Sequence, residues 1–96
     1  MTLSELKAIQ LADLFSALSD ASRVRIISAL IEKEMNVSDL AEKMQMSESA
    51  VSHQLRGLRQ MRLVRTRKSG RQVFYSLDDK HVIELFQRGL DHVLHG

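Results

Sequence analysis

The 96-residue chain contains no cysteine, no proline and no tryptophan, and only 4% of its residues are aromatic. Without thiols there is no disulfide staple, thiolate metal site, cysteine nucleophile or redox switch, and the composition fits a reducing cytoplasm. The scarcity of aromatic rings argues against stacking platforms for single-stranded bases and against an aromatic ligand cage. No apolar run approaches the roughly 20 residues that span a bilayer. The opening MTLSELKAIQ sets Glu5 beside Lys7 where a signal peptide would be basic and then apolar. A cytoplasmic protein with no membrane partner is therefore expected. The length allows a single domain over residues 1–96. A core of that size is barely adequate alone, so a homodimer that buries further surface is expected too.

Acid is also missing, but only locally. The formal net charge is +2, yet from Ser49 to Leu77 there is no Asp or Glu, while Arg56, Arg59, Arg62, Arg65, Arg67, Lys68 and Arg71 contribute +7 and leave −5 elsewhere. A basic run is often no more than a solvated face. Seven like charges in so short a stretch are better explained by a polyanion, because nucleic-acid phosphates neutralise them and release counterions.

Hydrophobic periodicity predicts four helices, a hairpin and a last helix. Leu11, Leu14, Phe15 and Leu18 recur at i, i+3, i+4, i+7 in a first helix over about residues 3–18, expected to belong to the core. Asp20 is the expected N-cap of a second helix that turns Val24, Ile27, Leu30 and Ile31 inward. Ser38 is expected to cap a short third helix with Leu40, Ala41 and Met44 on one side, and Ser47 a fourth that runs to Gln60 with Val51, Leu55 and Leu58 buried. Two helices joined by so tight a turn read as a helix-turn-helix. The exposed face of its second helix carries Ser49, Ser52, His53 and Arg56, which together with the cap Ser47 are residue types that contact bases and phosphates. Beyond Met61 the runs LVRTRK and RQVFYSL flank a two-residue turn at Ser69-Gly70, a β-hairpin. Its strand and tip residues Arg65, Arg67, Lys68 and Arg71 suit phosphate contacts beside a recognition helix, which is the arrangement of a wing. The expected fold is mainly α with one β-hairpin, a winged helix-turn-helix in a homodimer.

The segments LFSALSDASRVRIISAL (14–30), VSDLAEKMQMSESAVSHQLRGLRQMRLVRTRKSGRQVFYSL (37–77) and DDKHVIELFQRGLDHVLH (78–95) resemble the ArsR/SmtB family of metal-sensing winged-helix repressors, a likeness that covers Leu11 to His95. The resemblance implies dimers that occupy double-stranded operator DNA when metal-free and release it when metal binds. It also implies a metal efflux or storage gene as the target. In some family members cysteines at the start of the helix before the recognition helix bind thiophilic ions. This chain has Asn36-Val37-Ser38 there, so thiolate sensing of arsenite, cadmium, lead or mercury is not expected.

Three of the four histidines, His81, His92 and His95, lie in the last helix, with Asp79 just before it. At about 100° per residue the three fall within about 60° of one another, opposite Ile83, Phe86, Leu90 and Leu94. His92 and His95 can share an ion, and Asp79 can turn toward His81. From His81 to His92 is roughly 16 Å along a helix, whereas zinc ligands sit roughly 2.0–2.2 Å from the metal, so one chain cannot complete a site. Two such helices crossing antiparallel near Gln87 and Arg88 would create two sites. Each takes Asp79 and His81 from one protomer and His92 and His95 from its partner, four N/O ligands suited to Zn(II), with Co(II) or Ni(II) as alternatives. The set matches the family's C-terminal interfacial site. The family pattern also implies that the free ring N–H of His92 reaches a main-chain carbonyl near Arg62. His53, on the recognition helix, is read as a DNA contact.

A single surface histidine is ordinarily just solvated, so a winged-helix regulator without a metal effector is the main alternative. An interaction module that uses the wing on an acidic protein is another. An enzyme is not expected, because a closed four-ligand site leaves no place for water and no nucleophile-base pair or phosphate loop is present.

Overall fold

The computed structural model describes residues 2–96; Met1, the first residue of the expected domain, lies outside them. Five helices and three short strands follow in the order α1 (Glu5–Ala17), α2 (Ala21–Glu32), β1 (Met35–Asn36), α3 (Val37–Met44), α4 (Glu48–Gln60), β2 (Val64–Ser69), β3 (Gln72–Leu77) and α5 (Lys80–His95). Each helix begins on a side chain that accepts a backbone N–H: Ser4, Asp20, Asn36, Ser47 and Asp79. The cap of α3 is Asn36 and not Ser38 as expected. Asn36 Oδ1 accepts from the Asp39 N–H at 2.8 Å, because pairing with β3 keeps the backbone extended up to that residue.

The tight turn between α3 and α4 has a defined mechanism. Gln45 enters the left-handed region (φ 56°), and the Met46 N–H closes back on Ala41 O at 3.0 Å. Arg62 (φ 58°) ends α4 in the same way, with Leu63 N–H on Leu58 O at 2.9 Å, and redirects the chain into β2. The hairpin register runs from Val64 opposite Leu77 to Ser69 opposite Gln72, so the turn residues are Gly70 and Arg71, one position later than expected. Gly70 takes φ 63°, which a residue with a side chain would resist. β1, which periodicity does not reveal, adds a third antiparallel strand through Met35 opposite Tyr75 and Asn36 opposite Phe74, giving the order β1-β3-β2.

Ile26, Ile27, Leu40, Val51, Leu55 and Leu58 are fully buried and form the centre of the core, where α2, α3 and α4 meet under the sheet. The expected inward faces of α3 and α4 are observed. In α2, Ile27 and Leu30 are buried and Ile31 is half-buried, whereas Val24 is exposed. The first helix is not a core helix within the protomer: only Ala17 of α1 is buried, and Phe15 is 51% exposed. Likewise α5 has no buried residue; Ile83 and Phe86 rest half-buried on the core while Leu90 and Leu94 are exposed. Among the described residues no helix is long and apolar enough to cross a membrane.

Candidate functional site

Helix α4 presents outward the face expected from its periodicity. Val51, Leu55 and Leu58 hold it to the core, which leaves Ser49, His53 and Arg56 exposed and Ser52 half-buried on the other side. The Ser47 hydroxyl accepts the Ala50 N–H at 3.0 Å, so Ser47 fixes the start of the helix whose N-terminal half faces outward. On the wing, Arg65, Lys68 and Arg71 are exposed, and Arg71 borders a cleft of about 300 Å³ with Asn36, Ser38 and Glu48.

Arg67 differs from its neighbours. Its guanidinium forms a two-pronged pair with Glu34, Nε donating to Oε2 at 3.2 Å and Nη2 to Oε1, and lies over the Phe74 ring, 5.0 Å from the centroid. The hydrogen bond from Arg67, reinforced by its charge, holds the Glu34 carboxyl below the usual glutamate range, and Glu34 raises Arg67 in return. Glu34 therefore cancels one of the wing's charges. Sequence reasoning missed it because 33 residues separate the partners and only the β1–β3 pairing brings them together.

At the other end of the chain, Asp79 caps α5 by accepting the Val82 N–H at 3.1 Å, and its Oδ1 lies 3.8 Å from His81 Nδ1. Both side chains are open to solvent, as are His92 and His95 in the last turn of the helix. The structure thus brings Asp79 to His81 and leaves His92 and His95 roughly 16 and 21 Å away along the axis. Among the described residues no protomer gathers three or more His, Asp or Glu side chains able to hold a metal. No hydrogen bond joins the His92 ring to the Arg62 region among the described residues; the backbone carbonyl of His92 accepts the Gly96 N–H at 2.8 Å.

Beside the histidine stripe runs an apolar seam that periodicity understated. Leu85, Gly89 and Val93, at i, i+4 and i+8, run between the histidine stripe and the Ile83–Phe86–Leu90–Leu94 face, and Val93 is 80% exposed. With Phe15, Leu18 and Val24 they line an apolar groove of about 400 Å³ between α5 and the α1–α2 corner. The signal available in the sequence was the 85/89/93 spacing itself.

Residues 20–66, which hold α2 to the start of the wing, match the sequence profile described as bacterial regulatory protein, arsR family. The chain belongs to the ArsR family. It is 55% identical over 87 residues to a transcriptional repressor SmtB homolog of Synechocystis, a match that covers 91% of this chain and 66% of that protein, so it spans about two thirds of that relative's length. A cadmium resistance transcriptional regulatory protein CadC homolog of Staphylococcus aureus is 38% identical over 91 residues, covering 94% of this chain and 75% of that protein. The solution structure of a homodimeric winged helix-turn-helix DNA-binding domain from Mycobacterium bovis, a possible ArsR-family regulator, superposes with a TM-score of 0.80 at 28% identity, covering 98% of this chain and 88% of that one. The ArsR family assignment and the winged-helix architecture agree with the fold described above.

Proposed function

We propose that this ArsR-family protein is a metal-responsive transcriptional repressor that acts as a homodimer in the cytoplasm. The metal-free dimer binds double-stranded operator DNA, and metal bound between the subunits lowers that affinity and derepresses a metal efflux or homeostasis gene. A two-fold dimer implies an inverted repeat as its target.

The observation that carries the proposal is the division of ligands along α5. Asp79 and His81 stand at one end, His92 and His95 at the other, all exposed, with an unpartnered apolar seam beside them. A second copy laid antiparallel on that seam covers Leu85, Leu90 and Val93 and brings Asp79 and His81 to the partner subunit's His92 and His95. The four donors fit a tetrahedral ion: three imidazoles and one carboxylate, with no thiolate anywhere in the chain. This favours Zn(II), with Co(II) or Ni(II) as alternatives. It disfavours the thiophilic cadmium after which the staphylococcal relative is named. Asp79 and His81 of one protomer and the partner subunit's His92 and His95 would hold the ion, which would tie the start of one α5 to the end of the other. The ligand residues then favour one setting of the two subunits, and the two recognition helices move with the subunits that carry them. Ser49, Ser52, His53 and Arg56 make the base contacts, and Arg65, Lys68 and Arg71 the phosphate contacts, with Arg67 beside them held in part by Glu34. Linkage requires DNA to weaken metal binding by the same factor by which metal weakens DNA binding, a coupling typically of about 1–3 kcal/mol.

The test is a DNA-binding titration of the purified dimer with and without Zn(II), repeated with His92→Ala and His95→Ala. Metal should weaken binding by wild type at least several-fold. Both variants should bind DNA as tightly as metal-free wild type yet no longer respond. Co(II) should give the absorption of a tetrahedral N/O site only in wild type. Operator binding that ignores zinc, with no such cobalt spectrum, would leave a winged-helix regulator without a metal effector.

A further inference from the structure

The flank of α4 that faces α2, away from the reading face, carries a closed polar ring. Arg23, in the first turn of α2, donates from Nε to Gln54 Oε1 at 2.7 Å and from Nη1 to Ala17 O at 3.2 Å. Gln54 returns its amide N–H to Ser22 Oγ at 3.1 Å, and the Ser22 hydroxyl donates to Asp20, which also accepts the Arg23 backbone N–H at 3.2 Å. Both ends of the Gln54 amide are thus engaged, and a flip would break both contacts at once. One turn further along α4, a Cβ added to Gly57 would lie 3.1 Å from Arg23 Nη2, so the guanidinium lies close against the helix backbone there.

This ring joins three parts of the molecule: the last residue of α1, the start of α2 and the recognition helix. A cation in the first turn of a helix opposes the helix dipole, so its place there requires compensation, and the ring supplies it. An aliphatic pair would fill the same space but would allow α4 to rotate and slide, whereas a satisfied planar fork admits a narrow range of angles. Ala17 O belongs to α1, whose Phe15 lines the apolar groove, so the same guanidinium touches the helix beside that groove and the helix assigned above to DNA reading.

We propose that Arg23 and Gln54 are positioning residues that set the angle at which α4 presents Ser49, His53 and Arg56 to the major groove. The inference rests on the DNA-reading role proposed above and does not depend on which metal is sensed.

The test uses the wild-type dimer to select a duplex from a randomised pool. The affinity for that duplex is then compared with the affinity for unselected random duplex over a range of salt concentrations, alongside the Tm. Gln54→Ala should lower the selected-to-random ratio about tenfold. Its salt dependence should be unchanged, because no phosphate contact is lost. Gly57→Ala, which crowds the guanidinium rather than removing its partner, should lower the same ratio. Arg23→Lys, which keeps the charge without the fork, should do so as well. A ratio for Gln54→Ala within twofold of wild type overturns the proposal, and so does an equal loss on both duplexes with a shallower salt slope. If Gln54→Ala no longer melts cooperatively, Gly57→Ala carries the same two outcomes. A wild-type dimer that selects no duplex defeats the DNA-reading role itself, whereas a selecting wild type matched by the variants defeats only the positioning role.

Discussion

The segment from α2 to β3 and the two terminal helices obey different rules. In the former, Ile26, Ile27, Leu40, Val51, Leu55 and Leu58 are sealed from solvent within one chain, and every helix start is capped. In the latter, α1 buries only Ala17 and α5 buries nothing, although both carry apolar faces. The core of α2 to β3 is closed within the protomer, with α1 and α5 packed against it, whereas those two helices keep apolar surface exposed. The candidate metal ligands all sit on or beside α5, in the part that keeps apolar surface exposed.

The sharpest way to break this contrast is to damage each region and see which property fails. Leu55→Ala, at the centre of the closed core, should cost about 3 kcal/mol of unfolding free energy in chemical denaturation, through lost burial and the cavity left behind. Loss of less than about 1 kcal/mol would mean that the core is not where stability resides. Val93→Glu, on the seam, should instead leave the wing and helix-turn-helix folded. It should raise the dimer dissociation constant about a hundredfold in sedimentation, because a carboxylate must be desolvated in an apolar contact. A Val93→Glu protein that remains dimeric would place the subunit seam elsewhere.

The smallest effect concerns Glu34. Its carboxyl is held below its ordinary value by Arg67, so the pair contributes fully above the unfolded glutamate pKa. That contribution is lost as pH falls through the lowered folded value. A carbon-detected titration should show Glu34 ionised to lower pH in wild type than in Arg67→Ala. Glu34→Gln, which frees Arg67, should steepen the salt dependence of DNA binding by about one ion. An identical Glu34 titration in both proteins would remove the ion pair from the wing's electrostatics.

Much of this was legible in advance, for identifiable reasons. Val51, Leu55 and Leu58 follow the helical period, and Ser47 stands where a cap must, so α4 and its outward face could be read directly. The histidine stripe was equally visible, since spacing within one helix fixes direction. What failed was whatever depended on contacts between distant segments. The α3 cap moved from Ser38 to Asn36 because of a strand two residues long, and Arg67 acquired Glu34 for the same reason. The apolar period of α1 showed that a face needs cover but not that the cover lies outside the chain. Arg23 did leave a trace, a cation at the wrong end of a helix, but only its distant partner Gln54 gives that trace a meaning.

The two-residue strand Met35–Asn36 has a mechanical result. It bonds to β3 on one side and leads straight into α3 on the other, so hairpin and helix-turn-helix are tied together through the main chain. If the dimer reads paired half-sites as proposed, one extra base pair between them rotates them by about 34–36° relative to each other, and the adjustment falls on the contact between subunits rather than on the link between hairpin and helix.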